Sequence, residues 1–203
     1  MFSHLTLLSS LAYFYVTFLK NQLWKYILKP TTTILIIGVA LESGKNKSQA
    51  KTLGLVFSLI GDIFLMFEGE GYFILGLTSF LIAHVFYISV FYKTKKYNSG
   101  PKSMLTLGSI AVVYFFYLYE AIYNDGGAVM LFAVFVYMMV IATMVYYAYL
   151  NDNAMLSLGV TLFFISDATI AFDKFIVNAP GQSQWEYVVM VTYYIAQYLI
   201  ASF

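Results

Sequence analysis

Two aspartates stand where a carboxylate is costly. Asp62 lies within "LGLVFSLIGDIFLMF" at 53–67, and Asp167 lies within "LGVTLFFISDATIAF" at 158–172. Stacked without a gap, Leu53, Gly54, Ile60, Asp62 and Phe67 match Leu158, Gly159, Ile165, Asp167 and Phe172, and small Gly61 meets small Ser166. A carboxylate near the centre of a bilayer costs about 2.5 to 3.5 kcal/mol on insertion scales, so two at matching positions call for a reason. In one reading each aspartate is a structural acceptor that ties helices together. In the other, Asp62 and Asp167 line a shared polar cavity. Two carboxylates confined there disfavour one another's charge, so one can act as an acid while the other stays ionised.

The remaining polar residues narrow the chemistry. Cysteine is absent and His4 and His84 are the only histidines, which excludes disulfides, thiolate sites, cysteine nucleophiles and a multi-histidine zinc or di-iron centre. No metal or cofactor is expected. His84 lies in the middle of an apolar run, either as an interhelical hydrogen-bond donor or in contact with a substrate. Lys29 precedes Pro30 at the expected opening of a helix, where proline is tolerated; it is an interfacial anchor or a phosphate ligand. "SDATIAFDKF" adds Asp173 and Lys174 beyond Asp167, as a solvated pair at a helix end or as site residues. In "TYYIAQ", Tyr193 and Gln197 share a helix face at i, i+4, and a glutamine in lipid needs a partner. Glu42 and Glu120 fall near run ends, and the tyrosine-rich stripes fit interfacial belts.

These residues must be positioned by membrane helices. Of 203 residues, 61% are hydrophobic and 10% charged, and the mean hydropathy is +0.78, outside the range of soluble domains. The net charge of +1 provides no basic stripe for nucleic acid. A helix crosses the hydrocarbon core with about 20 apolar residues. The sequence predicts an all-α integral membrane bundle of about eight such helices, near 5–19, 27–41, 52–67, 72–92, 103–123, 128–150, 155–172 and 187–203. The first reads as a retained span and not a signal peptide, since no lysine or arginine precedes it and no small-residue cleavage site follows. Short loops such as "EGEG" and "NDNA" predict one domain over 1–203. The matching aspartate segments, with "FLIAHVFYI" at 80–88 over "YYIAQYLIA" at 193–201, predict two parallel four-helix repeats, roughly 1–97 and 98–203. The lysine distribution places both termini in the cytoplasm: Lys45, Lys47, Lys51, Lys93, Lys95, Lys96 and Lys102 fall on one side, and Lys20, Lys25, Lys29 and Lys174 on the other. Asp62, Asp167, Lys29 and Lys174 then share the non-cytoplasmic half.

Five segments in this order, "KP" at 29–30, "GDIFLM" at 61–66, "AHVFY" at 83–87, "SDATIAFDKF" at 166–175 and "TYYIAQYLI" at 192–200, resemble the YhhN family. The resemblance covers about residues 27 to 202. It implies a membrane hydrolase that cleaves the vinyl ether of lysoplasmalogens, releasing a fatty aldehyde and a glycerophospho-alcohol. The family's acidic positions fall on Asp62 and Asp167, which it implies are catalytic. Its other motif positions fall on Lys29, His84, Lys174, Tyr194 and Gln197, the candidate substrate-binding residues, whose individual roles the resemblance leaves open. The implied partners are a lysophospholipid substrate and membrane lipids, with no nucleic acid, in a bacterial inner membrane.

The residue types suit that reaction. Vinyl ether hydrolysis needs a proton delivered to the β-carbon, a carboxylate to stabilise the resulting oxocarbenium ion, and water to complete the hemiacetal. Asp62 and Asp167 are able to divide those roles, as paired carboxylates do in glycosidases; the sequence leaves open which takes which. Two other readings use the same residues. A proton-coupled carrier also places aspartates at the midplane of a repeat, and a non-catalytic lipid-binding protein uses them as structural acceptors.

Overall fold

The computed structural model describes residues 1–42, 48–98, 101–178 and 184–203, with the side chains of 101–103 outside that description. The described residues are helical, without a strand. In chain order they form α1 (Phe2–Phe18), α2 (Gln22–Glu42), α3 (Gln49–Phe64), α4 (Glu70–Thr94), α5 (Pro101–Tyr149), α6 (Ala154–Phe172) with a π-helical turn (Asp173–Val177), and α7 (Trp185–Ser202). Of the lysines that set the expected orientation, Lys45, Lys47 and the side chain of Lys102 lie outside the described residues.

Among the described residues, three helices are long and apolar enough by themselves to cross a membrane: Glu70–Thr94 with 25 residues, Met104–Tyr149 with 46, and Ala154–Val177 with 24. The second cannot be one straight rod. It is broken at Gly126 and Gly127, whose backbones leave the helical region, and Gly127 sits at φ 62, ψ −155, a conformation that glycine alone adopts readily. Beyond it the chain doubles back. The rings of Phe115 and Phe135 lie 5.2 Å apart, where 20 residues of straight helix would separate them by about 30 Å. α5 is therefore a helical hairpin with arms at about 101–125 and 128–149, close to two of the expected runs. α1 and α3, at 17 and 16 residues, fall short of the usual spanning length.

Many large apolar side chains lie at the surface while a set of polar side chains is buried, as suits helices that face lipid. Val113, Phe116, Val129 and Phe132 are 68–71% exposed, whereas Thr32, Thr33, Ser58, His84, Ser166 and Gln197 are fully buried. α1 packs on α2, α3 on α4, and α6 on α7. The main core runs through all of them, from Tyr13 and Ile36 to Phe80, Tyr87, Phe163 and Ile200, and a second cluster fills the α5 hairpin.

Local details recur at the spacing of the two aspartates. Ser48 caps α3 by accepting the Lys51 N–H, and Asn153 caps α6 by accepting the Leu156 N–H, each fourteen residues ahead of its aspartate. Gly54 and Gly159, also a matched pair, both admit a neighbouring helix. A Cβ on Gly54 would lie 2.5 Å from the Tyr87 ring of α4, and one on Gly159 would lie 3.0 Å from Leu199 of α7.

α2 differs from the sequence expectation. It begins at Gln22 rather than near Ile27, so Pro30 lies inside the helix. Asn21 supports the earlier start by accepting the Trp24 N–H at 3.4 Å. Lys29 is consequently not in a first turn but deeper, on the α2 face that carries Thr33.

Candidate functional site

Asp62, near the end of α3, is 2% exposed and is surrounded by donors. Thr33 Oγ1 donates to Asp62 Oδ2 at 2.8 Å and Tyr193 Oη donates to the same oxygen at 2.7 Å. Lys29 Nζ stands 3.8 Å from Oδ1. The helical repeat explains the grouping on α2, since Lys29 and Thr33 are i, i+4 neighbours. Behind Tyr193 the polar contacts continue. Gln197 Nε2 donates to Tyr193 Oη at 3.2 Å, and Tyr87 Oη donates to Gln197 Oε1 at 2.9 Å.

Asp167, on α6, has a sparser setting. Tyr137 Oη, from the second arm of α5, donates to Asp167 Oδ2 at 2.5 Å. His84 Nε2 of α4 stands 3.8 Å from the same oxygen, too far for a hydrogen bond. His84 is fully buried and neither ring nitrogen has a hydrogen-bond partner among the described residues. Its ring packs edge-on against Phe163 at 4.9 Å and Tyr137 at 5.3 Å. Phe163 in turn meets Tyr193 at 5.6 Å. A continuous path of aromatic rings thus separates the two aspartates and joins their settings.

Two spaces adjoin these groups. At the end of the bundle where α2 and α7 begin and α6 ends, a polar cleft encloses about 750 Å³ and is lined by Lys25, Lys29, Lys174, Glu68, Glu70 and Glu186 among others. Lys25 is paired with Glu186 at 2.7 Å, and Lys174 with Asp125 at 2.9 Å. Tyr13 of α1 also donates to Glu186, at 2.8 Å. The π-helical turn after α6 carries Asp173 and Lys174 to the cleft wall. A second, smaller and apolar pocket lies among α4, α5 and α6, with Asp167 and Tyr137 in its lining. Leu65, Phe73 and Ile170 line both spaces, so the apolar pocket begins where the polar cleft ends.

The residues singled out in the sequence fall into three groups. Asp62 with Lys29, and Asp167 with His84, form two neighbouring clusters. Lys174 lines the cleft but is held by Asp125, with its Nζ 5.7 Å from the Phe73 ring centre. Asp62, His84, Tyr194 and Gln197 line neither space, and Asp167 lines only the apolar pocket, so the two aspartates do not share the lining of one cavity as expected. Tyr194 is packed between α1 and α7 against the rings of Tyr13 and Phe14, and Gln197 is buried behind Tyr193. The sequence reading missed Thr33, Tyr137 and Tyr87 as polar partners. Tyr193 carried a visible signal, its i, i+4 pairing with Gln197. Among the described residues, no three His, Cys, Asp or Glu side chains converge as a metal site requires.

Comparison with known proteins adds a family. The model of the YhhN family matches residues 24–202. The chain is 33% identical over 159 residues to the lysoplasmalogenase TMEM86A of Bos taurus and 31% identical over 159 residues to that of Homo sapiens, in both cases over 73% of this chain and 62% of the relative. It is 27% identical over 172 residues to the lysoplasmalogenase TMEM86B of Mus musculus, over 85% of this chain and 70% of the relative. The matches to TMEM86A thus span less than two thirds of that protein's length. No solved structure matches the chain.

Proposed function

Because this chain belongs to the YhhN family, we propose that it is an integral membrane hydrolase of the lysoplasmalogenase type, cleaving the vinyl ether of a lysoplasmalogen to a fatty aldehyde and a glycerophospho-alcohol. The observation that carries this reading is the junction of the two spaces. A polar cleft with Lys29 and Lys174 suits a phosphate-bearing headgroup. The adjoining apolar pocket suits the start of a hydrocarbon chain, and Asp167 lines it. A vinyl ether lies between headgroup and chain, so such a ligand brings its reactive carbons toward Asp167, with Lys29 of the cleft linking it to Asp62 behind.

The reaction proceeds by addition of water. One carboxyl transfers its proton to the β-carbon of the vinyl ether, and the electron pair of the double bond forms the new C–H bond. The positive charge left on the α-carbon and ether oxygen is stabilised by the other carboxyl as a carboxylate. Water adds to the α-carbon and its proton passes to a carboxylate. The hemiacetal then collapses, the aldehyde forming as the glycerol oxygen leaves with a proton. Asp62 and Asp167 are the pair for which this chemistry is proposed, with Lys29 and Lys174 at the headgroup.

The architecture belongs to the same proposal: eight spans counting both arms of α5, arranged as two four-helix repeats in a bacterial inner membrane with both termini cytoplasmic. The matched caps and matched glycines support the repeat. So do the hydroxyl donors, since each aspartate accepts one from the preceding helical segment, Thr33 in one half and Tyr137 in the other.

The test is incubation of the detergent-purified protein with lysoplasmenylethanolamine, reading fatty aldehyde beside folded Asp62→Asn and Asp167→Asn variants. Aldehyde from the wild type and not from the variants is expected. A folded wild type that releases none refutes the hydrolase, and solute uptake only into sealed vesicles would replace it with a carrier.

A further inference from the structure

The two aspartates are held by different hydrogen-bond chains, and the direction of each bond assigns their roles. A tyrosine hydroxyl has one hydrogen to donate, and an amide NH2 donates while its carbonyl accepts. Tyr87 Oη donates to Gln197 Oε1 at 2.9 Å, so its only hydrogen is committed there, and Ser58 Oγ, 3.4 Å from Tyr87 Oη, is left as the donor of that contact. Gln197 Nε2 donates to Tyr193 Oη at 3.2 Å. Tyr193 then directs its own hydrogen to Asp62 Oδ2 at 2.7 Å. Each donated hydrogen in the sequence Ser58, Tyr87, Gln197, Tyr193 leads toward Asp62, and all four residues are at most 3% exposed.

Asp62 ends this chain as a pure acceptor. Thr33 adds a second hydroxyl hydrogen and Lys29 adds an ammonium 3.8 Å from Oδ1. Such a setting suits a carboxylate, since chained donors polarise one another and strengthen toward a charged acceptor. Asp167 has one hydroxyl donor, Tyr137, and a histidine beyond hydrogen-bond reach. It also lines the apolar pocket, where a neutral carboxyl is favoured over a charged one.

We propose that Asp167 is the carboxyl that protonates the vinyl ether, that Asp62 acts throughout as the carboxylate, and that Gln197 and Tyr87 are positioning residues which commit the Tyr193 hydroxyl to Asp62. This rests on the reading of the aspartates as the reacting pair and goes beyond it by dividing their roles. It also moves Gln197 from the substrate to the support of a catalytic group. Tyr193 is a positioning residue as well, acting through Asp62.

The proposal is tested on the full chain in lipid nanodiscs by infrared spectroscopy at neutral pH, with melting curves to verify folding. The wild type is expected to show the carbonyl stretch of a protonated carboxyl, lost in Asp167→Asn and kept in Asp62→Asn. Tyr193→Phe and the near-isosteric Gln197→Met are expected to gain a second such band, absent once Asp62→Asn is added. Their kcat for lysoplasmenylethanolamine is expected to fall about 10- to 100-fold with KM changed less than about twofold, the loss of a hydrogen bond to a charged group. A band lost in Asp62→Asn, or no protonated carboxyl in the wild type, overturns the assignment. Unchanged spectra in Tyr193→Phe and Gln197→Met, with KM raised and kcat intact, return Gln197 to the substrate. If the wild type releases no aldehyde, the hydrolase reading fails separately, while the spectra still decide which aspartate holds the proton.

Discussion

The surroundings of Asp62 and Asp167 begin from the same plan and diverge. Asp62 sits on α3 and Asp167 on α6, and each takes a hydroxyl from the helical segment before, Thr33 for Asp62 and Tyr137 for Asp167. Asp62 also meets α7, and Asp167 meets α4. There the likeness stops: α7 offers Asp62 a tyrosine backed by Gln197 and Tyr87, whereas α4 offers Asp167 a histidine 3.8 Å away. α2 adds Lys29 beside Asp62, and an apolar pocket adjoins Asp167. Under the proposed division of roles, two similar settings supply a carboxylate and an acid from the same residue type, with the difference carried by the side chains around each aspartate.

The largest effects are expected where the comparison is broken outright. Asp62→Asn and Asp167→Asn each remove a proposed proton-transfer or charge-stabilising group, for which losses of about 10²- to 10⁴-fold in kcat are typical; aldehyde release under single-turnover conditions measures them. Smaller and unequal effects are expected one step out. Tyr137→Phe removes the hydroxyl donor of Asp167, and kcat should fall about 10- to 100-fold. Thr33→Val removes one of two hydroxyls on Asp62 and should cost less than about 10-fold. Equal losses in this second pair would show that the two settings work alike.

The sequence carried the symmetric part of this plan and not the asymmetric part. A gapless match of 53–67 with 158–172 shows the paired aspartates and the paired glycines. The α5 hairpin was legible as well, since "NDGG" interrupts an apolar run too long to be one span. Partner identity was not. The hydroxyls on Asp62 come from 29 and 131 residues away, and no local pattern says which of many buried threonines and tyrosines will face a given carboxyl. Tyr193 and Tyr194 show the difficulty. Adjacent residues on a helix point about 100° apart, and that angle sends one to Asp62 and the other to Tyr13. The start of α2 was misjudged because Pro30 signals a first turn, while Asn21 supplies the cap nine residues earlier.

The matched glycines allow a finer comparison. Alanine at Gly54 would bring its Cβ within 2.5 Å of the Tyr87 ring, and alanine at Gly159 would bring it to 3.0 Å from Leu199. Overpacking of this kind costs about 1 to 3 kcal/mol, so both variants should melt earlier, Gly54→Ala by more. Their activities should separate further than their stabilities. Displacing Tyr87 disturbs the donor to Gln197 and hence Tyr193 and Asp62, whereas Leu199 has no polar contact to lose. Gly54→Ala is expected to lower kcat several-fold beyond any loss of folded protein, and Gly159→Ala to leave kcat per folded molecule unchanged. Parallel losses in the two would remove Tyr87 from the functional account.

The smallest expected effect concerns the lysines of the cleft, which differ in what each would leave behind. Lys174 is paired with Asp125 at 2.9 Å, with side chains 18% and 26% exposed, and a partly exposed pair of this kind contributes about 0 to 1 kcal/mol to stability. Lys174→Met should therefore barely move the melting temperature. If Lys174 contributes to headgroup binding, KM should rise a few-fold while kcat stays the same, the signature of lost uniform binding. Lys29 stands at Asp62, so Lys29→Met should lower kcat as well as raise KM, because it removes a positive charge from beside the carboxylate. A Lys174→Met variant that lowers kcat with KM intact would place Lys174 nearer the chemistry than its partner Asp125 suggests. A Lys29→Met variant altered only in KM would confine Lys29 to the headgroup.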